Sequence, residues 1–198
     1  MNKTTAFSIL ALSLCAALLL AACGRKPAPV ETPAPIPPVN NFQMQNLLSE
    51  FPGTITTADY AEQVQLIIFL RTDGAGIAQA IADWNTLQHD FAGDGFTVLG
   101  AVVDDRPNDQ LAPEAIALNA AFPIGQADAP IVTAFGGAAA IRAIPTAFLL
   151  SRDGLILRTY TGFARPDNLR ADITAALANH ELPPPPPPYP PPEKESDI

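Results

Sequence analysis

The sequence predicts an α/β domain built on a central mixed sheet with flanking helices. Three observations predict it. The apolar run VQLIIF from Val64 is followed by a helical repeat and then by a second apolar run, FTVLGAVVD from Phe96, which is the order of a parallel βαβ unit. Further on, two strand-like runs meet at Asp153-Gly154, a hairpin signal, and a last helical repeat follows. Ahead of both, the segment from Asn41 to Tyr60 alternates weakly around Pro52-Gly53 and reads as a leading β-hairpin.

Each element has its own reason. EQVQLIIFL has continuous apolar residues bounded by polar ones, as a strand covered on both faces requires. In GIAQAIADWNTLQHDF the apolar residues Ile77, Ile81, Trp84, Leu87 and Phe91 fall three or four apart, giving one apolar helix face, with Trp84 in the core. Gly93-Asp94-Gly95 ends that helix. PEAIALNAAF predicts a helix with Pro113 in its first turn, where a missing N–H costs nothing. PIVTAFGG predicts a short helix capped by Gly136-Gly137. IPTAFLLSRDGLILRTYTGF is strand, turn, strand, and RPDNLRADITAALANH places Leu169, Ile173, Ala176 and Leu177 on one helix face.

The flanks set the organisation. Lys3 and the apolar AFSILALSLCAALLL are followed by LAAC ending at Cys23. This resembles a bacterial lipobox, which implies a signal peptide over residues 1–22, cleavage before Cys23 and a lipid on its sulfur. Gly24 after the cysteine favours the outer over the inner membrane. Residues 23–40 form a Pro-rich tether, 41–182 the domain, and 183–198 a polyproline and charged tail. The chain carries a net charge of −9, which argues against nucleic acid or anionic lipid as a partner. Its cysteines are Cys15, in the signal peptide, and Cys23, so the domain has no thiol for exchange or for metal.

The order hairpin, β-α-β, helices, β-β-α then resembles the thioredoxin-like three-layer fold, in the TlpA/ResA-like branch of membrane-attached periplasmic thioredoxins. The stretches that carry the resemblance are AFGGAAAIRAIPTAFLLSRDGLI and GFTVLGAVVDD, together with the leading hairpin. It implies a cis bond before Pro145 and a groove beside it, in which the backbone of Ala143 and Ile144 pairs with an extended peptide. It also places the family's two active-site cysteines at Gly74 and Ile77, with Ala75 and Gly76 between, and its helix acid at Ala80. None of those groups can supply thiolate chemistry. The resemblance therefore implies the fold and argues against the family's dithiol activity.

Other readings of the same residues are less coherent. GAGIAQA after a strand has two glycines of a dinucleotide loop, but Gln79 stands at the third glycine's place, so no dinucleotide is expected. His89 and His180 have no ligand cluster with them, and Asp104, Asp105 and Asp109 lack calcium-loop spacing and read as a solvated turn. Arg71 and Asp73 read as a solvated pair, or as groups that tune selectivity at the groove. The expectation is a lipid-anchored, redox-inactive envelope protein without cofactor or metal, binding a protein or extended peptide. The alternatives are an oxidoreductase-family member working with a partner's thiols and a structural envelope lipoprotein.

Overall fold

The computed structural model describes Val39, residues 42–50 and residues 53–185. Cys15, Cys23, the signal peptide, most of the tether and the tail beyond Pro185 lie outside the described residues. Strands are β1 (Gln43–Asn46), β2 (Thr54–Thr56), β3 (Val64–Leu70), β4 (Phe96–Val102), β5 (Ile124–Gln126), β6 (Thr146–Leu150) and β7 (Ile156–Thr161). Helices are α1 (Ile77–Phe91), α2 (Asn108–Ala117), α3 (Ala129–Ala134), α4 (Gly137–Ala140) and α5 (Pro166–Leu177). They build one seven-stranded sheet in the order β2-β1-β5-β4-β3-β6-β7. The βαβ reading holds: β3 and β4 are parallel, with Val64 opposite Phe96 and Leu70 opposite Val102. The leading hairpin and the β6–β7 hairpin are both antiparallel.

Every residue of β3 and β4 is buried, which explains their unbroken apolar runs. Alternate β3 residues feed two cores. Val64, Leu66, Ile68 and Leu70 join the apolar faces of α1, α2 and α5, where Trp84 is buried as expected. Ile67 and Phe69 join Phe135, Phe148 and Ile131 on the other face. There Phe69, Phe135 and Phe148 meet with ring centroids 5.0–5.7 Å apart, tilted or edge-on as aromatic quadrupoles prefer.

Four details differ from the sequence expectation. Helix α2 begins at Asn108, not near Pro113, so that proline sits inside the helix, past the turn whose N–H groups are free anyway. β5 has three residues, too few for an alternation pattern to register. Gly136 and Gly137, both at positive φ, stop α3 but also let a second short helix, α4, start at once. Val39, assigned to the tether by composition, is buried and its N–H donates to the Gly154 carbonyl (2.9 Å), so the packed unit reaches back to it. Among the described residues no helix is long and apolar enough to cross a membrane.

Candidate functional site

β3 delivers the loop at Arg71–Gly76 to the carboxyl edge of the sheet, where open α/β sheets place ligands. The loop is a tight double turn: the Gly74 N–H donates to the Arg71 carbonyl (3.3 Å) and the Ile77 N–H to the Gly74 carbonyl (3.2 Å). Gly76, at φ +77°, turns the chain into α1 in a conformation that side-chain-bearing residues rarely adopt. Ile77 is buried while Ala75 and Gly76 are exposed. A Cβ on Gly74 would lie 3.8 Å from the Cβ of Ile77, so the two positions where the resemblance places cysteines are adjacent in space.

An ion-pair network fastens this loop. Arg71 makes the expected pair with Asp73, through two bonds of 3.0 Å each. It also approaches Asp104 at 3.4 Å. The solvated-turn reading of Asp104 is corrected here: its side chain is only 5% exposed and receives Arg106 at 2.9 Å. Arg106 reaches on to Glu114 (2.7 and 2.9 Å), and Glu114 accepts the hydroxyl of buried Thr72 at 2.5 Å. Gln126 donates to the carbonyls of Asp104 and Arg106, tying in β5.

The chemistry of the network is that of a fastening. Hydrogen bonds from Arg106 hold the carboxyls of Asp104 and Glu114 below the usual carboxylate range, and Arg71 does the same for Asp73. Arg106 is in turn held more firmly protonated. These carboxylates are stabilised as anions, whereas a general base near neutrality needs a raised pKa. The described residues contain no cysteine, and among them no group of three or more side chains could hold a metal. His89 lies beside Asp90 on the surface, and His180 is exposed near the end of the domain.

The second half of the site is the start of β6. The Ile144–Pro145 peptide bond is cis. Ala143 and Ile144 are exposed, and Thr146, fully buried, donates its hydroxyl to the Ala143 carbonyl (2.6 Å). Neither N–H of Ala143 and Ile144, nor the Ile144 carbonyl, has a hydrogen-bond partner among the described residues. The Gly162 N–H donates to the Pro145 carbonyl (2.8 Å), and the next residue, Phe163, brings its ring to 3.5 Å from where a Cβ on Gly76 would sit. Phe163 thus joins the two halves. Its ring, with Gly76, Ala80, Asp83, Trp84 and Ala164, bounds a groove of about 250 Å³.

The sequence reading names Arg71, Asp73, the Gly74–Ile77 turn and Pro145, which lie on the loop and strand start described above, but does not name Arg106, Glu114 or Phe163. The available signal was the VVDDRP run, which puts Asp104 just past the carboxyl end of a core strand. Nothing in the spacing announces that Phe163 meets Gly76.

No protein-family model and no curated protein matches the chain. Solved structures do match. A thiol:disulfide interchange protein of the thioredoxin family from Chlorobium tepidum aligns at 20% identity and TM-score 0.61, over 72% of this chain and 97% of that one. The chain has a thioredoxin-like fold. The exposed lipoprotein thioredoxin of Streptococcus pneumoniae aligns at 16% identity and TM-score 0.58, covering 68% of this chain and 98% of its own. A DsbF homologue from Corynebacterium diphtheriae aligns at 18% and 0.57, over 67% and 82%. At these identities the thioredoxin-like fold is what is shared.

Proposed function

We propose that this chain is a lipid-anchored protein of the bacterial envelope whose thioredoxin-like domain captures an extended protein segment and performs no dithiol exchange. One observation carries the reading. Exposed backbone at Ala143 and Ile144, whose two N–H groups and Ile144 carbonyl have no partner among the described residues, lies next to a loop that offers no thiol. Free N–H and C=O groups continuing the line of a strand are what an added strand pairs with. The side chain of Ile144, 38% exposed, and the ring of Phe163, 54% exposed, supply apolar contact beside that backbone. Arg71 and Asp73, both about half exposed, are the charges proposed to bias the choice of segment. The anchor rests on the sequence before Cys23, and the similarity to an exposed lipoprotein thioredoxin of Streptococcus pneumoniae is in keeping with it.

The test has two arms. A benzophenone amino acid at Ile144, in cells, is expected to cross-link an envelope protein, and excess purified protein is expected to compete that product away. The same probe at exposed Leu155 serves as control. Equal, uncompeted cross-linking at both positions overturns the binding reading. Separately, the purified chain is expected to leave insulin disulfides intact, and turnover free of contaminating thioredoxin overturns the loss of dithiol activity. Mass spectrometry of the membrane fraction checks the anchor, through a lipid-bearing N-terminus at Cys23.

A further inference from the structure

The groove beside Phe163 has a chemical character of its own. Its walls are the Phe163 ring, the buried Trp84, the small residues Gly76 and Ala80, and the Asp83 carboxylate. At about 250 Å³ it is smaller than the pockets that take drug-sized ligands, and it suits one long side chain. The charges around it are unequal. Arg71 and Asp73 answer each other through two bonds, and Asp104 and Glu114 are held by Arg106. Asp83 forms no ion pair among the described residues. Its one bond there is long: Gln79, a turn earlier on α1, donates its amide to Oδ1 at 3.4 Å.

We infer that the groove takes an arginine side chain of the captured segment, with its guanidinium stacked on the Phe163 ring and bonded to Asp83. This rests on the capture proposed at Ala143 and Ile144, and it names a residue that such a segment carries. The Gly162 N–H bonds the Pro145 carbonyl, so Ile144 and Phe163 each stand one residue from that bonded pair, and Phe163 closes on Gly76. A segment paired with Ile144 is therefore within a long side chain's reach of the groove. An acidic side chain there would be repelled by Asp83. An aliphatic one would fill the space but strip water from a carboxylate and return no bond. A lysine ammonium pairs with Asp83 but holds its water tightly. A guanidinium is less hydrated and planar, so it stacks on a ring while its N–H groups fork to a carboxylate. The domain contains that arrangement once already: the Arg170 guanidinium lies 5.3 Å from the Phe91 ring centroid and bonds Asp90 at 2.7 Å. The net charge of −9 adds a general attraction for basic segments.

The experiment uses the purified full chain in detergent and labelled, end-blocked peptides Thr-Val-Thr-Xaa-Thr-Val-Thr, with arginine, lysine, norleucine or glutamate at Xaa. Affinity is read by fluorescence anisotropy. The arginine peptide is expected to bind about tenfold more tightly than the norleucine peptide, the scale of one hydrogen bond between charged groups. Lysine is expected to fall between them and glutamate to bind weakest. The arginine peptide is also expected to shift the emission of Trp84, the chain's one tryptophan. Asp83→Asn is expected to remove most of the arginine preference and leave the norleucine affinity and the melting temperature as they were. Asp83→Lys is expected to turn the preference toward glutamate. Equal binding of the arginine and norleucine peptides, or an arginine preference that survives Asp83→Asn, overturns this inference; if the Ile144 probe still cross-links in cells, capture stands without it. Absence of binding by every peptide overturns it too, and takes capture with it when that probe also fails.

Discussion

Individual residues decide whether this site does chemistry. The turn brings Gly74 and Ile77 to the separation a disulfide needs: a Cβ on Gly74 would stand 3.8 Å from that of Ile77, near the mean separation in disulfides. Gly74→Cys with Ile77→Cys is therefore expected to close an intramolecular disulfide in air or oxidised glutathione, seen as the loss of two hydrogens by mass spectrometry. Persistence of two alkylatable thiols would show the turn to be misaligned. A second prediction concerns Asp104, whose carboxyl Arg106 holds below its ordinary value. A carboxyl lowered on folding stabilises the fold above its unfolded pKa, near 4, and that contribution is lost as pH falls through the lowered value. Urea midpoints of Asp104→Asn are thus expected to fall less than wild type between about pH 6 and pH 3. A parallel fall in both proteins would contradict this. The Gly74–Ile77 turn and the Arg71–Asp73 pair are legible in the sequence because their members lie within a few residues of one another. Arg106 to Glu114 to Thr72 spans 42 positions between its outer members and is closed only by folding.

At the level of elements, what is legible follows length and repetition. β3 and β4, seven residues each, and the amphipathic α1 and α5 declare themselves by long patterns. β5 does not, although it joins the leading hairpin to the parallel core, pairing Gln45 with Gln126 and Gly100 with Ile124. Gly125 at its centre is there because nothing larger fits: a Cβ would fall 2.6 Å from the Cβ of Met44 and 3.1 Å from the Gln45 carbonyl. Relief of that overlap means pushing β1 away. Gly125→Ala is expected to cost about 1–3 kcal/mol, typical of overpacking, and to raise amide exchange selectively in β1 and β2. Urea denaturation and hydrogen exchange check the two effects, and wild-type behaviour in both would mean that the hairpin shifts without loss. The start of α2 escapes the sequence pattern for a related reason: a proline within a helix looks, in sequence, like the first turn of one.

Across the whole molecule, the two faces of the sheet are held differently. One is sealed by phenylalanines against α3, and the other, under α1 and α5, contains a buried polar cluster. Asp172 of α5, 1% exposed, accepts the Tyr160 hydroxyl at 2.5 Å and forms an ion pair with the Arg158 guanidinium at 3.2 Å. Burial, and then the bond to Asp172, push the Tyr160 phenol far above its ordinary pKa, so it stays a neutral donor. Arg158 also holds the Pro183 carbonyl, so one carboxylate organises β7, α5 and the segment that leaves them. A buried ion pair adds little net stability over apolar packing, because desolvation offsets its attraction, yet removing one member leaves the others uncompensated. Asp172→Ala is therefore expected to cost about 3–5 kcal/mol. The triple replacement Arg158→Met, Tyr160→Phe and Asp172→Leu is expected to recover most of that loss, since it leaves no buried polar group behind. Urea denaturation of the two variants separates the possibilities. A small loss in Asp172→Ala would mean that water reaches the cluster. A large loss in both would mean that the cluster's shape, and not the balance of its charges, holds α5 to the sheet.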